Sequence, residues 1–200
     1  MIVSSPAFEN GSPIPEPYAY CKIDPTNHVA HGDNKNPTIV WSDLPDGTKS
    51  LVLICVDDKV PSVFTDANKE GMKIPKTLSR IDFYHWVLID INPKLGGIKE
   101  GEDSDGIVET GKKPGKKSYG VTGINSYSNG KKYGGYDGPC PPWNDDLVHE
   151  YHFRLYALNI PTLNLSGNFT GPDVLKAMKG HVLAEAEWMG TYTLNPKLRK

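Results

Sequence analysis

Asp57, His85, His149 and Tyr151 are the residues best placed, by type and position, to handle a charged ligand. Asp57 follows the apolar run Leu51 to Val56, His85 opens the run Trp86 to Ile91, and His149 leads into Tyr151-His152-Phe153. Each therefore sits where a strand is expected to start or stop. Histidine donates hydrogen bonds to phosphate oxygens and carries positive charge when protonated, and tyrosine adds a neutral donor. Asp57 repels a fully ionised ligand, so its expected roles are to orient a histidine, to share a proton with the ligand, or to meet an amine headgroup. Strand alternation places His149, Tyr151, Phe153 and Leu155 on one side.

The segment Tyr136-Asp137-Gly138-Pro139-Cys140-Pro141-Pro142-Trp143 lies just upstream of His149. Its prolines fix φ and lack amide donors, and Gly138 permits a close turn, so it forms neither a helix nor a central strand. It is expected to wall a pocket, with Gly138, Pro139, Pro141 and Pro142 as the lining and Cys140 at the rim. Two other chemistries use the same residue types. A two-histidine, one-carboxylate metal site needs only these side chains, although no ligand pair here has the local spacing of a metal motif. A hydrolase would take His85 or His149 as base, Asp57 as its orienter, and water or Cys140 as nucleophile. No Gly-x-Ser-x-Gly elbow or phosphate-binding glycine loop is present.

The elements that must position these groups are short β-rich runs at Thr38 to Trp41, Ser50 to Val56, Phe83 to Ile91, Tyr151 to Leu158 and Thr191 to Leu194. Glycine, proline, asparagine and aspartate separate them, which predicts an antiparallel β-sandwich. Leu51 to Val56 and Trp86 to Ile89 are apolar almost without interruption, as in strands covered on both faces. Pro172 to Trp188 reads as helix, split at Gly180, with Leu175, Met178 and Val182 at helical spacing. His181 lies inside it as a core or packing residue. Gly96 to Gly135 is expected to form long surface loops.

The 200 residues suffice for one domain with a sizeable core, and a formal net charge of −2 gives no sign of a nucleic-acid surface, so no nucleic-acid partner is expected. Lys112, Lys113, Lys116, Lys117, Lys131 and Lys132 read as a solvated basic loop. Cys21, Cys55 and Cys140 are an odd set without paired spacing, so neither a disulfide framework nor a zinc knuckle is expected, and a reducing compartment fits. Met1 to Ser12 lacks the basic and apolar regions of a signal peptide, and no run reaches the ~20 apolar residues of a membrane span. The expected location is cytoplasmic.

Together these pieces resemble the phosphatidylethanolamine-binding proteins, in particular their bacterial Raf-kinase-inhibitor-like branch. Asp57-Asp58-Lys59-Val60-Pro61-Ser62 is similar to that family's Asp-Pro-Asp-Ala-Pro-Ser signature. Phe83-Tyr84-His85-Trp86-Val87, Gly138 to Pro142, His149 to Leu158 and Ala177 to Ala184 follow in the same order, over about residues 30 to 194. The resemblance implies a two-sheet β-fold with short peripheral and C-terminal helices. It also implies a small pocket for phosphate-like or acetate-like groups, with Asp57, His85, Pro142, His149 and Tyr151 at pocket positions. Asp58 and Lys59 depart from the signature, and Lys59 is expected at the rim. The resulting expectation is a non-catalytic ligand-binding or regulatory protein without a cofactor or metal. Its expected ligand is a phosphate-like or other small anion, such as a phospholipid headgroup. A kinase or protease bound through a protein interface is the alternative partner, and a homodimer is compatible with the chain.

Overall fold

The computed structural model describes residues 1–128 and 133–199. Eleven strands are found among them: β1 Ile2–Ser4, β2 Cys21–Asp24, β3 His28–His31, β4 Ile39–Ser42, β5 Ser50–Pro61, β6 Arg80–Ile91, β7 Gly97–Ile98, β8 Gly115–Lys116, β9 Val121–Thr122, β10 His149–Leu158 and β11 Val182–Tyr192. A six-stranded antiparallel sheet has the order β11-β10-β5-β6-β9-β8, and a three-stranded sheet has the order β1-β4-β7. β2 and β3 form a separate hairpin. The architecture is mainly β, as expected, and each predicted run falls on a strand. Ser50 to Val56 continues to Pro61, and the Thr191 to Leu194 run proves to be the end of β11.

The large sheet is covered on both faces, which explains its uninterrupted apolar runs. Leu51, Leu53 and Cys55 of β5 join Trp86, Leu88, Phe153 and Leu155 beneath Val3, Ile39 and Trp41 of the small sheet. The alternate residues Val52, Ile54 and Val56 face the other way, with Val87, Ile89 and Tyr156. Phe169 and the helix α1, Gly171–Ala177, cover that side through Val174. Pro172 opens α1, and Asp173 Oδ2 accepts from the Thr170 amide at 2.9 Å, so the helix starts where its sequence predicts. Full burial of each large side chain contributes roughly 1.5–3 kcal/mol, which makes the central β5, β6 and β10 the rigid part of the molecule.

Five expectations are corrected. The predicted second helix is absent: Gly180 adopts φ +80° and turns the chain into β11, which pairs with β10 from Leu158↔Val182 to His149↔Tyr192. Leucine, alanine and glutamate favour helix intrinsically, but pairing along an entire central strand outweighs a propensity of tenths of a kcal/mol per residue. His181 is a half-buried turn residue beside Asn159 Oδ1, not a core residue. The Gly96 to Gly135 segment is partly internal, burying Ser104, Tyr119, Thr122 and Asn125. Within it Lys112 is not solvated, because its ammonium lies 2.7 Å from Asp137 Oδ1 with only 14% of the side chain exposed. Lys113, Lys116 and Lys117 are exposed, while Lys131 and Lys132 lie outside the described residues. Finally, Cys21 and Cys140 form a disulfide with their Cα atoms 4.8 Å apart, and Cys55 is the buried free thiol. Among the described residues no helix is long and apolar enough to cross a membrane.

Gly180→Ala places a Cβ in the left-handed region and is expected to destabilise the fold by about 1–2 kcal/mol, read as a lower midpoint in urea unfolding. An unchanged midpoint would mean that the α1 to β11 turn relaxes freely.

Candidate functional site

Strand register and two bulges bring the polar residues together. Tyr151 pairs with Asp57, which sets His149 just beyond the same point of β5. On the other side of β5, Cys55 pairs with Trp86 but Val56 pairs with Tyr84, leaving His85 as the extra residue of a bulge. A bulge breaks strand alternation and re-aims a side chain. His85 and Trp86 thus both serve the inner face, one at the site and the other in the core. A second irregularity sets Asp58 and Lys59 against a single residue between the pairs Asp57↔Phe83 and Val60↔Ile81. Asp57 and Val60 therefore line one cavity although they are three residues apart.

That cavity, about 350 Å³, is lined by Asp57, Val60, Phe64, Phe83, His85, Ser126, Tyr127, Cys140, Pro141, Pro142, His149 and Tyr151. Its floor is a chain of ionic hydrogen bonds. His149 Nδ1 lies 2.6 Å from Asp57 Oδ2 and Nε2 lies 3.2 Å from Asp145 Oδ2, with the histidine fully buried. Arg80 continues the chain, donating Nη1 to Asp145 Oδ2 at 2.6 Å and Nη2 to Oδ1 at 3.0 Å. Burial pushes the His149 pKa down, but hydrogen bonds to Asp145 and Asp57 outweigh it and raise the value to about 9. Burial also pushes Asp145 up, and its bonds to His149 and Arg80 more than reverse that, holding it below the usual carboxylate range. Two carboxylates, an imidazolium and a guanidinium have formal charges that sum to zero. The floor therefore neither attracts nor repels an anion strongly, and both nitrogens of His149 are committed.

His85 differs in kind. Its Nδ1 lies 2.7 Å from the carbonyl of Asp137. A carbonyl only accepts, so Nδ1 carries the hydrogen and Nε2 of the neutral ring is a bare lone pair. Burial lowers the His85 pKa, with the Asp57 charge opposing in part. Among the described residues, Nε2 and the Tyr151 hydroxyl are both buried without a hydrogen-bond partner. Burial and the nearby Asp57 charge hold the Tyr151 pKa well above 10, so that hydroxyl remains a donor.

The proline wall is fixed from behind. The Asp137 amide donates to the His85 carbonyl at 3.0 Å, Gly138 N donates to Asn34 Oδ1 at 2.8 Å, and Cys21 N donates to the Pro139 carbonyl at 3.0 Å. A Cβ on Gly138 would lie 2.0 Å from the Tyr18 carbonyl oxygen, so the glycine is required by close approach. Gly138 and Pro139 thus support the wall from outside the lining, while Cys140, Pro141 and Pro142 form its surface.

Lys59 is not at the rim. Its ammonium lies 3.0 Å from Asp58 Oδ1 and 3.1 Å from Glu150 Oε2 and does not line the cavity. His152 Nε2 lies 3.7 and 3.8 Å from the same two oxygens. Asp58, Glu150 and His152 could hold a metal by proximity, but Lys59 already supplies a cation there. At the cavity, the two-histidine metal arrangement conflicts with His149, both of whose nitrogens meet carboxylates. Sequence reasoning missed Asp145, Arg80 and Asp137. The available signal was Asp145, a carboxylate four residues before His149; Arg80 and Asp137 become partners only through long-range folding. Phe64, Phe83, Ser126 and Tyr127 were also missed as lining residues.

A profile of the family described as "Phosphatidylethanolamine-binding protein" matches residues 4–193. A "UPF0098 protein" of Methanothermobacter thermautotrophicus is 35% identical over 169 residues, covering 84% of this chain and 89% of the relative. A "UPF0098 protein" of Chlamydia muridarum is 31% identical over 192 residues, covering 96% and 98%. Among solved structures, a phosphatidylethanolamine-binding protein homologue from Chlamydia trachomatis has a TM-score of 0.66 at 30% identity, covering 95% of each chain. E. coli YbcL has the same TM-score at 23% identity, covering 96% of each chain, and shares the fold.

The raised His149 pKa makes stability depend on pH. The ion chain stabilises fully below the unfolded histidine value of about 6.5, and its contribution, on the order of 3 kcal/mol, is lost as pH rises through about 9. Urea midpoints measured from pH 6 to 10 are expected to fall across that window. His149→Gln leaves the buried Asp57 without a cationic partner, while Asp145 keeps Arg80, so it is expected to cost about 3–5 kcal/mol at pH 6.5 and to flatten the slope. A parent midpoint constant from pH 6.5 to 9 would contradict the assignment of His149 as an imidazolium.

Proposed function

Because this chain belongs to the phosphatidylethanolamine-binding protein family, we propose that its cavity is a non-catalytic binding site for a small anionic head carried on an apolar body. The observation that carries this reading is that two buried polar atoms in one cavity, His85 Nε2 and the Tyr151 hydroxyl, meet no hydrogen-bond partner among the described residues. A phosphate-like or carboxylate oxygen accepts from Tyr151. A single proton, brought by the ligand or taken up by His85, joins the head to Nε2. Val60, Phe64, Phe83, Pro141 and Pro142 provide the apolar surround for the rest of the molecule. Inorganic phosphate and a phospholipid headgroup share this head chemistry.

Two features weigh against Cys140 as the nucleophile and His149 as the base of a hydrolase. The Cys140 sulfur is bonded to Cys21 and is not a thiol nucleophile. His149 is charged and doubly hydrogen-bonded, so it lacks the free lone pair of a general base. The disulfide also removes the cysteine argument for a reducing cytoplasm. Such bonds persist in oxidising compartments and in the intracellular proteins of hyperthermophiles.

The proton requirement can be measured. Calorimetric titration with inorganic phosphate and with a short-chain phosphatidylethanolamine, from pH 5.5 to 8.5, is expected to show affinity falling by up to about tenfold per pH unit above the free His85 pKa. The diester has no proton of its own to lose in that range, so its pH step reports His85 alone, whereas phosphate adds its second ionisation near 6. Binding of one ligand and not the other identifies the source of the head. His85→Gln should remove the diester's step, and Tyr151→Phe should weaken binding about tenfold without moving it. Affinity unchanged in both variants would refute the site.

A further inference from the structure

The disulfide is asymmetric in its surroundings. Cys21 is 5% exposed and packs in the main core, with its amide bound to Pro139 and its carbonyl accepting from the Tyr192 hydroxyl at 2.8 Å. Cys140 is half-buried and lines the ligand cavity. Phe64, which is largely exposed, lines the same cavity. A small molecule inside the cavity thus meets one end of the bond, whereas the other end is reached only by disrupting the core.

We propose that Cys140 is a thiol-exchange site, modified by small thiols that enter through the cavity. Such a thiolate attacks the Cys140 sulfur and forms a new sulfur–sulfur bond to it. The bond to Cys21 breaks, and Cys21 departs as a thiolate that takes a proton from water. One disulfide is lost and one is formed, so no external oxidant or reductant is needed. The attached thiol remains as a substituent of the cavity wall. The buried neighbours fix the direction of exchange, because rate in this reaction depends on which sulfur can be approached.

The test uses the intact oxidised protein with a limiting amount of 2-mercaptoethanol, quenched with a maleimide and mapped by peptide mass spectrometry. The expected product carries mercaptoethanol on Cys140 and maleimide on Cys21. Phe64→Ala, which removes a large exposed side chain from the cavity lining, is expected to accelerate adduct formation several-fold. Met72→Ala, also at an exposed position but outside the cavity lining, should leave the rate unchanged. An adduct on Cys21, an even distribution over both cysteines, or equal rates in the Phe64→Ala variant and the parent would each overturn the proposal. None of these readouts depends on whether phosphate or a lipid binds.

Discussion

The buried chain Asp57–His149–Asp145–Arg80 is the constraint around which the cavity is organised. Removing these charges from water carries a desolvation penalty of several kcal/mol per ion, offset only when every partner is in place. Asp57 also accepts from the Lys59 amide, Asp145 accepts from the Leu147 amide, and Arg80 donates to the Lys59 and Pro75 carbonyls. The four side chains therefore lock the end of β5, the start of β6 and the entry to β10 into one arrangement. The loop after β5 is held in turn by Asn144, whose amide donates to the carbonyls of Asp66, Lys69 and Met72.

This arrangement divides labour between two histidines. His149 is structural in its charge, balanced on both sides and held away from reaction. His85 has one nitrogen fixed by a main-chain carbonyl and the other left free at the bulge. The same residue type thus stands as an imidazolium at neutral pH at one point and as a neutral ring at the other. The difference follows from the balance at each site: two carboxylates outweigh burial at His149, whereas at His85 burial outweighs the Asp57 charge and the Asp137 carbonyl and favours the neutral ring.

Much of this could be read from the chain, and the unread parts share a cause. Apolar runs located β5, β6 and β10, and Asp57, His85, His149 and Tyr151, read as strand-end residues, line one cavity beside the prolines. Alternation along Ala184-Glu185-Ala186-Glu187-Trp188 was present as a strand signal but competed with strong helix formers, and only pairing with β10 decides between them. The Cys21–Cys140 bond, the Lys112–Asp137 pair and the Arg80–Asp145 pair join residues with no sequence spacing to betray them. Bulges are similarly silent, because they are properties of two strands in register. Lys59 was misplaced for that reason: the irregularity in β5 sends it to Asp58 and Glu150.

The separation of Asp57 from His149, 92 residues along the chain, has a consequence for biosynthesis. Long-range pairings form only after the entropy of closing a large loop has been met. A ribosome-bound chain that has emerged only through β6 holds Asp57 and His85 but lacks the wall, Asp145, His149 and Tyr151. At that stage Asp57 has neither its imidazolium nor a completed sheet around it. The cavity is therefore a late product of translation, absent from every nascent intermediate that precedes β10, and its appearance marks a chain whose central sheet has been assembled.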